Sequence, residues 1–208
     1  DDSAETMLLN LLRGTGLKGL TGIPKKRDCI LRPLLGATRA ELAAYAAEHR
    51  IPFVEDSTNG TDDAARNVLR HQVLPVLKKL NPRVVENMSR TASLLTADEA
   101  ALDAACRKLL AQCAVTPNVS GMIPLAVLQD APEALRGRLV LAVLAAVAGH
   151  EKDLTAAHIR AVLTLDRGQL SMPYGVTVLR EPAALHFFKA VSAPAVQAVT
   201  VGEIVTFG

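Results

Sequence analysis

The chain has 208 residues, of which half are hydrophobic and 21% are charged. This length suits one large or two small domains, and the composition can bury a core and is not that of a disordered protein. Aromatic residues make up only 3%, which argues against binding nucleic acid by stacking bases on aromatic side chains. The 23 basic and 21 acidic side chains leave a net charge of +2, too small for binding nucleic acid through bulk charge alone.

The cysteines and the apolar runs exclude further classes of protein. Cys29, Cys106 and Cys113 form no CxxC pair and are odd in number, which argues against a disulfide scaffold or a zinc ribbon and favours a reducing, cytoplasmic location. The longest apolar run, residues 139–148, has ten residues, whereas a membrane-spanning helix needs about 20. We therefore expect no membrane partner.

Residues 1–80 show an alternation of helix and strand signals. The pattern predicts a helix over 4–12, a glycine-rich turn over 13–22, a short buried strand at 29–31, a helix from the capping box of Thr38 and Glu41 to about His49, and a strand at 51–54. The order is typical of an α/β fold, most simply with parallel strands and crossover helices. We interpret this part as the end of a larger α/β domain.

From about residue 62 the pattern predicts helices and then strands. Helices are expected over about 63–79 with a kink at Pro75, then over 82–112, 132–149 and 154–165, followed by strands at 169–172, 176–180 and 185–189 and a short linker at 193–195. The sequence therefore predicts an all-helical domain over 81–166 and a β-containing segment over 167–208, the start of a further domain.

Three acidic residues stand at the beginning of the first helix. Asp1, Asp2 and Glu5 are close in sequence, and Asp2 and Glu5 are three apart, so they share one helical face. Carboxylates at this end can simply cap the helix and suit its dipole. Two converging carboxylates can also hold a divalent cation or an ammonium group.

Two further groups of residues could bind anions. The segment Arg13-Gly14-Thr15-Gly16 places a cation beside a backbone that can approach a phosphate, although a helix C-cap explains it equally. Asn59 ends the polar turn Asp56-Ser57-Thr58-Asn59, and Arg66, Asn67 and Arg70 follow it. The two arginines lie four apart, so their guanidinium groups could bind phosphates from one helical face or merely face solvent.

Four blocks of sequence, taken together, carry a specific resemblance. They are DDSAETMLLNLLRGTGLKGLTGIP, then Arg32-Pro33-Leu34-Leu35, then IPFVEDSTN, and then RNVLRHQVLPVLKKLNP. Their order and spacing over residues 1 to about 92 resemble the tRNA(Ile)-lysidine synthetases, a family of N-type (PP-loop) ATP-pyrophosphatases. The resemblance implies the end of a Rossmann-like PP-loop domain, and residues 82–166 resemble the family's tRNA-gripping helical domain.

The resemblance also implies a reaction and roles for residues. Such an enzyme uses ATP and Mg²⁺ to adenylate C2 of cytidine 34 in the anticodon of an AUA-decoding isoleucine tRNA, and free lysine then displaces AMP. Asp1 and Asp2 match catalytic acids of the family, and Asp2 and Glu5 match positions tied to lysine recognition. Arg13, Gly14, Thr15, Gly16, Asn59, Arg66, Asn67 and Arg70 match residues that line the nucleotide and tRNA side.

One departure from the family pattern qualifies this prediction. The phosphate-binding SGGxDS loop does not occur in these 208 residues, so we expect them to be a piece of the enzyme that does not catalyse the reaction alone. Two alternatives remain: a non-catalytic helical module that binds tRNA or protein, and a tRNA 2-thiolating enzyme, which would need cysteine pairs. The sequence leaves open whether the protein forms a homodimer.

Overall fold

A computed structural model of the chain describes residues 2–27, 29–52 and 64–189. The chain divides into two compact units, residues 1–102 and 103–208. This division differs from the predicted boundaries after residues 80 and 166. In the described part, no helix has both the length and the apolar character needed to cross a membrane.

The first unit begins with a helix and a folded-back turn. Helix α1 spans Asp2–Leu12, as the spacing predicts, and is followed by the short helix α2, Leu17–Leu20. Gly14 and Gly22 have φ values of 73° and 72°, which glycine adopts at little cost. The predicted glycine-rich turn therefore contains a helical turn of its own, and α2 packs against α1.

A strand forms near the predicted position 29–31, but the prediction that it is buried is wrong. Strands β1, Lys26–Arg27, and β2, Ile30–Leu31, form a two-stranded antiparallel hairpin, and both residues of β2 are exposed. Pro33 ends β2, as expected, and opens a 3-10 turn over Pro33–Gly36. The parallel sheet of a Rossmann-like remnant is thus not confirmed by the described residues of this unit.

The capping box is confirmed. Helix α3 spans Arg39–Glu48, with Thr38 as its N-cap and His49 as its C-cap. The Thr38 Oγ1 accepts from the Glu41 amide at 3.2 Å, and the Thr38 amide donates to the Glu41 carboxylate at 2.7 Å. Residues 51 and 52 have no regular structure, so the predicted strand at 51–54 does not form there, and its second half lies outside the described residues.

The helix predicted over 63–79 forms with an irregularity before Pro75. Helix α4, Ala64–Val68, continues through a π-helical turn, Leu69–Val73, into helix α5, Leu74–Leu80. Because proline has no amide hydrogen, the regular ladder is broken there, and the Leu74 amide instead donates to the Leu69 carbonyl, five residues back. Helix α6 then spans Val84–Leu110 and crosses from the first unit into the second.

The second unit is built on one antiparallel sheet. Its strands are β3, Ala114–Thr116, β4, Ser120–Pro124, β5, Gly168–Ser171, β6, Val176–Arg180, and β7, Ala184–Lys189, in the order β3-β4-β7-β6-β5. Strands β5 to β7 confirm the prediction for 169–189. Strands β3 and β4 contradict the all-helical prediction for 81–166. Asn118, at φ 61°, turns the chain between these two strands. Strand β4 pairs with β7, about 60 residues later along the chain.

Three helices accompany the sheet. They are α7, Leu125–Asp130, α8, Glu133–Ala148, and α9, Ala156–Leu163. The expected limits of α8 are confirmed, since Pro132 precedes it and Gly149, at φ 95°, ends it. Helix α8 lies on the sheet, and the core between them contains fully buried residues from both, among them Leu139, Val143, Ile123, Val178 and Phe187.

Candidate functional site

Glu5, from the predicted acidic cluster, is almost completely buried. It faces inward from the first turn of α1, and its side chain is 2% exposed. Asp2, three residues earlier in the same first turn, has a side chain that is 70% exposed. The two carboxylates therefore lie in different environments, although their spacing places them on one face of the helix. Asp1 lies outside the described residues.

Arg70 neutralises the buried carboxylate with a two-pronged hydrogen bond. Its Nε donates to Glu5 Oε1 at 2.8 Å, and its Nη2 donates to Glu5 Oε2 at 2.9 Å. This is the bidentate geometry in which arginine binds a carboxylate most strongly. The hydrogen bonds to Glu5 raise the pKa of Arg70, so its guanidinium group is charged throughout the range in which proteins are stable.

Asp2 stands at the edge of the same pair. Its Oδ1 lies 3.5 Å from Arg70 Nη2, a distance at which a hydrogen bond is weak. Because Asp2 is mostly exposed, this contact leaves its carboxylate accessible to a ligand. The site therefore combines a buried, paired acid with an open one.

Arg66 reaches the same carboxylate from one turn earlier in α4. Its Nε lies 3.7 Å from Glu5 Oε2, and its Nη2 donates to the Thr6 hydroxyl at 3.2 Å. Arg66 Nε is buried and has no hydrogen-bond acceptor among the described residues. The four-residue spacing thus does bring both arginines to one face, and that face contacts α1 instead of open solvent.

The glycine-rich segment starts at the opposite end of α1. Arg13 is 11 residues from Asp2, which corresponds to about 16 Å along the helix. The Gly14 amide donates to the Leu11 carbonyl and the Thr15 amide to the Asn10 carbonyl, so this stretch, up to Gly16, ends the helix in the way that the C-cap interpretation predicts. The structure thus places Arg13, Gly14, Thr15 and Gly16 at the end of α1 that is farther from Asp2 and Glu5. Their role in nucleotide or tRNA binding remains a prediction.

Of the remaining predicted residues, only one lies in the described part. Asn67 is half-buried on α4, between the two arginines in sequence. Asn59 lies outside the described residues. Their predicted contacts with nucleotide or tRNA remain predictions as well.

Sequence reasoning missed three polar residues of α1 that hold the site in place. Thr6 accepts from Arg66, the Ser3 hydroxyl accepts from the Ile23 amide at 3.3 Å, and Asn10 Nδ2 donates to the Gly19 carbonyl at 2.8 Å. A Cβ on Gly22 would lie 2.3 Å from Ser3 Oγ, so the turn can return to the acidic end only with glycine there. The available signal was the polar character of these positions within an otherwise amphipathic helix.

The cysteines of the chain are poor candidates for chemistry. Burial raises the pKa of the Cys106 and Cys113 thiols, so both are protonated near neutral pH and weak nucleophiles. Cys29 is exposed and lies in the first unit, residues 1–102.

The described residues contain no group of three or more His, Cys, Asp or Glu side chains that could hold a metal ion.

The site lies within a stretch that matches a known domain family. Residues 1–77 match the PP-loop domain. A relative named tRNA(Ile)-lysidine synthase from Porphyromonas gingivalis is 52% identical to this chain over 92 residues, which are 44% of this chain and 20% of that protein. The tRNA(Ile)-lysidine synthases of Geobacillus kaustophilus and Solibacter usitatus are 30% and 34% identical to it over 86% of this chain. The chain spans 41% and 42% of their lengths.

Proposed function

We propose that this chain, a homologue of the tRNA(Ile)-lysidine synthases with a PP-loop domain over residues 1–77, takes part in the ATP-dependent ligation of lysine to an isoleucine tRNA. The observation that carries the proposal is the cluster of Asp2, Glu5, Arg66 and Arg70 inside that domain. It combines an accessible carboxylate for an ammonium group with two guanidinium groups for phosphate oxygens.

The proposed reaction has two steps. The C2 oxygen of cytidine 34 attacks the α-phosphorus of ATP, and pyrophosphate leaves. The ε-amine of lysine then attacks C2, the C2–oxygen bond breaks, and AMP leaves with that oxygen while the amine loses a proton to solvent. The first step joins two phosphate-bearing substrates, and the second brings the amine of lysine to the adenylated tRNA, which is the chemistry that a mixed acid and arginine site can position.

We assign the lysine ammonium to the acidic end of α1. Asp2 is the open carboxylate of the pair with Glu5, and with Asp1 it supplies the acids that hold and orient the amine. Arg66 and Arg70, with Asn59 and Asn67, form the phosphate side, and Arg13 with Gly14, Thr15 and Gly16 offers a second anion site about 16 Å along α1. Such a protein works in the cytoplasm, and no step requires a second copy.

The described residues do not fit a magnesium ion held by the protein. Both oxygens of Glu5 accept hydrogen bonds from Arg70, and a carboxylate in that arrangement is not available as a ligand. We therefore retain Mg²⁺ only as the partner of the ATP phosphates, with which it commonly binds, and we derive no step through it.

The test is ATP-dependent transfer of labelled lysine to an isoleucine tRNA transcript by the complete protein in which this chain occurs. We expect transfer, and we expect Asp2→Asn to raise the KM for lysine about tenfold or more, which is the loss of one charge-assisted hydrogen bond. Asp98→Asn, at an exposed position of α6, is the matched control and should behave like the wild type. Tight tRNA binding without transfer would favour the non-catalytic module instead.

A further inference from the structure

We propose that one face of the hairpin formed by β1 and β2 is a binding surface for RNA phosphates. This basic face carries Lys25, Arg27 and Arg32. Its partner is the backbone of the tRNA next to the nucleotide that reacts. The inference rests on the proposed function, to which it adds a contact surface outside the acids and arginines of α1 and α4.

The hairpin is much more basic than the chain as a whole. Residues 25–32 contain four basic side chains and a single acid, Asp28, which lies outside the described residues, whereas the whole chain has 23 basic against 21 acidic side chains. Lys25 and Arg27 are exposed, and Arg32 is half-buried. A protein with little net charge needs a local patch of this kind in order to bind a polyanion.

The register of the hairpin places three of the four cations on one face. Arg27 is opposite Ile30, and the Arg32 amide donates to the Lys25 carbonyl at 2.8 Å, so the same register brings Lys25 opposite Arg32. Because successive side chains of a strand point to opposite faces, Lys25 and Arg27 share the face of Arg32. Lys26 lies on the other face. The Cα atoms of Lys25 and Arg27 are then about 6.7 Å apart along the strand.

This arrangement is electrostatically unfavourable in the protein alone. Lys25 and Arg32 are like charges directly opposite each other in an antiparallel pair, and such charges repel. Neither they nor Arg27 has an acidic partner among the described residues. Arg32 Nη1 donates to the Pro24 carbonyl at 3.1 Å, which uses one of five N–H groups and neutralises no charge. An anion bound across the face would relieve the repulsion.

The position of the hairpin indicates which anion it meets. The Ile23 amide donates to the Ser3 hydroxyl at 3.3 Å, and Ser3 lies in the first turn of α1, between Asp2 and Glu5. Lys25 follows Ile23 by two residues, which span at most about 7 Å. A tRNA whose nucleotide occupies the proposed site therefore has its neighbouring phosphates within reach of the basic face. A row of cations matches a row of backbone phosphates better than it matches a single nucleotide.

The test is the salt dependence of tRNA binding by the complete protein, measured by fluorescence anisotropy of a labelled isoleucine tRNA transcript. Each phosphate contact adds about 0.7 to 0.9 to the steepness of log K against log salt. We expect Lys25→Gln to remove about 0.7 to 0.9 of that steepness and to weaken binding about five- to eightfold at about 0.1 M salt. The double variant of Lys25→Gln and Arg27→Gln should lose about twice as much steepness.

Lys26→Gln is the matched control. Lys26 is the same residue type at the adjacent position, exposed like Lys25, and lies on the opposite face. It should leave the steepness unchanged and the affinity within about twofold of the wild type, because it removes no phosphate contact.

Two further readouts separate a phosphate contact from other roles of Lys25. Phosphate contacts carry no sequence information, so Lys25→Gln should weaken binding of an unrelated tRNA transcript by the same factor. The variant should also unfold at the temperature of the wild type or slightly above it, followed by circular dichroism, because it removes a charge that faces Arg32.

The outcomes are distinct. Unchanged steepness in Lys25→Gln would overturn the inference, and so would an equal loss in Lys26→Gln, because binding would then follow net charge alone. A loss confined to the isoleucine tRNA, or a lower unfolding temperature of Lys25→Gln, would overturn it too. A raised KM for ATP with unchanged tRNA affinity would make the basic face a nucleotide site and overturn it as well. The expected losses in a wild-type protein that transfers no lysine would support the surface and refute the proposed function.

Discussion

Replacing Arg70 by alanine should destabilise the first unit much more than the same change at Arg66. Arg70 is the bidentate partner of a carboxylate that is 2% exposed, so Arg70→Ala leaves a buried charge without compensation. Removing one partner of a buried ion pair costs about 3–5 kcal/mol. Arg70 is itself 27% exposed, which lets water reach the vacated space, so we expect the lower end, about 3 kcal/mol.

Arg66 is the matched control because it is the same residue type, one turn away, beside the same carboxylate. It lies 3.7 Å from Glu5 and is 40% exposed, and its buried Nε has no acceptor in the described part. Arg66→Ala therefore removes a weak ion pair, the 3.2 Å hydrogen bond to the Thr6 hydroxyl and an unsatisfied donor together. Because the first two are weak and the third is unfavourable, we expect a loss below about 1 kcal/mol.

The assay is urea unfolding of the complete protein, followed by far-ultraviolet circular dichroism and by hydrogen exchange of peptides from residues 2–12 and 64–80. The chain contains no tryptophan, so hydrogen exchange is needed to assign the change to this unit. Equal losses for the two variants, or a loss below about 1 kcal/mol for Arg70→Ala, would refute the assignment of Glu5 as a buried, arginine-paired charge.

Two further predictions concern the capping box and the sheet. Hydrogen bonds from Thr38 lower the pKa of Glu41 below its ordinary 4.5. The stabilisation that the Glu41 carboxylate gives to α3 is therefore complete above that pH and is lost as the pH falls through the lowered pKa. The amide resonance of Thr38, followed by NMR, should titrate with a midpoint below 4.5, and Thr38→Ala should lower the free energy of unfolding by about 1 kcal/mol. In the second unit, a Cβ on Gly121 would lie 2.5 Å from Val143 Cγ1, so Gly121→Ala should lower the free energy of unfolding by about 1–3 kcal/mol. Gly137 lies inside α8, and a Cβ there would lie 3.4 Å from Ile159, so Gly137→Ala should raise the free energy of unfolding by about 0.5–1 kcal/mol. Urea unfolding measures both changes. An unchanged free energy of unfolding in Gly121→Ala would contradict the close approach of α8 to the sheet.

Local signals in the sequence were sufficient for most helices. The Thr38 and Glu41 box, Pro132 before α8 and Gly149 after it each act through contacts within a few residues, so their effect can be read without knowledge of the rest of the chain. The same holds for β5 to β7, where turn residues separate short strands. The strand pair β3 and β4 was missed for two reasons. Strand β4 is held in the sheet by β7, a distant part of the chain, and β3 has only three residues, too few to carry a periodic signal.

Residue types and their spacing thus determined that acids and arginines of the first 77 residues would form the candidate site and that Arg66 and Arg70 would share a face. Tertiary structure alone decided which acid is buried and which is open. Glu5 and Asp2 are both carboxylates near the start of one helix, but only Glu5 meets Arg70 in a bidentate pair, 65 residues later in the chain, and is enclosed with it. Burial and ion pairing depend on where a second helix lies, and no local pattern encodes that position.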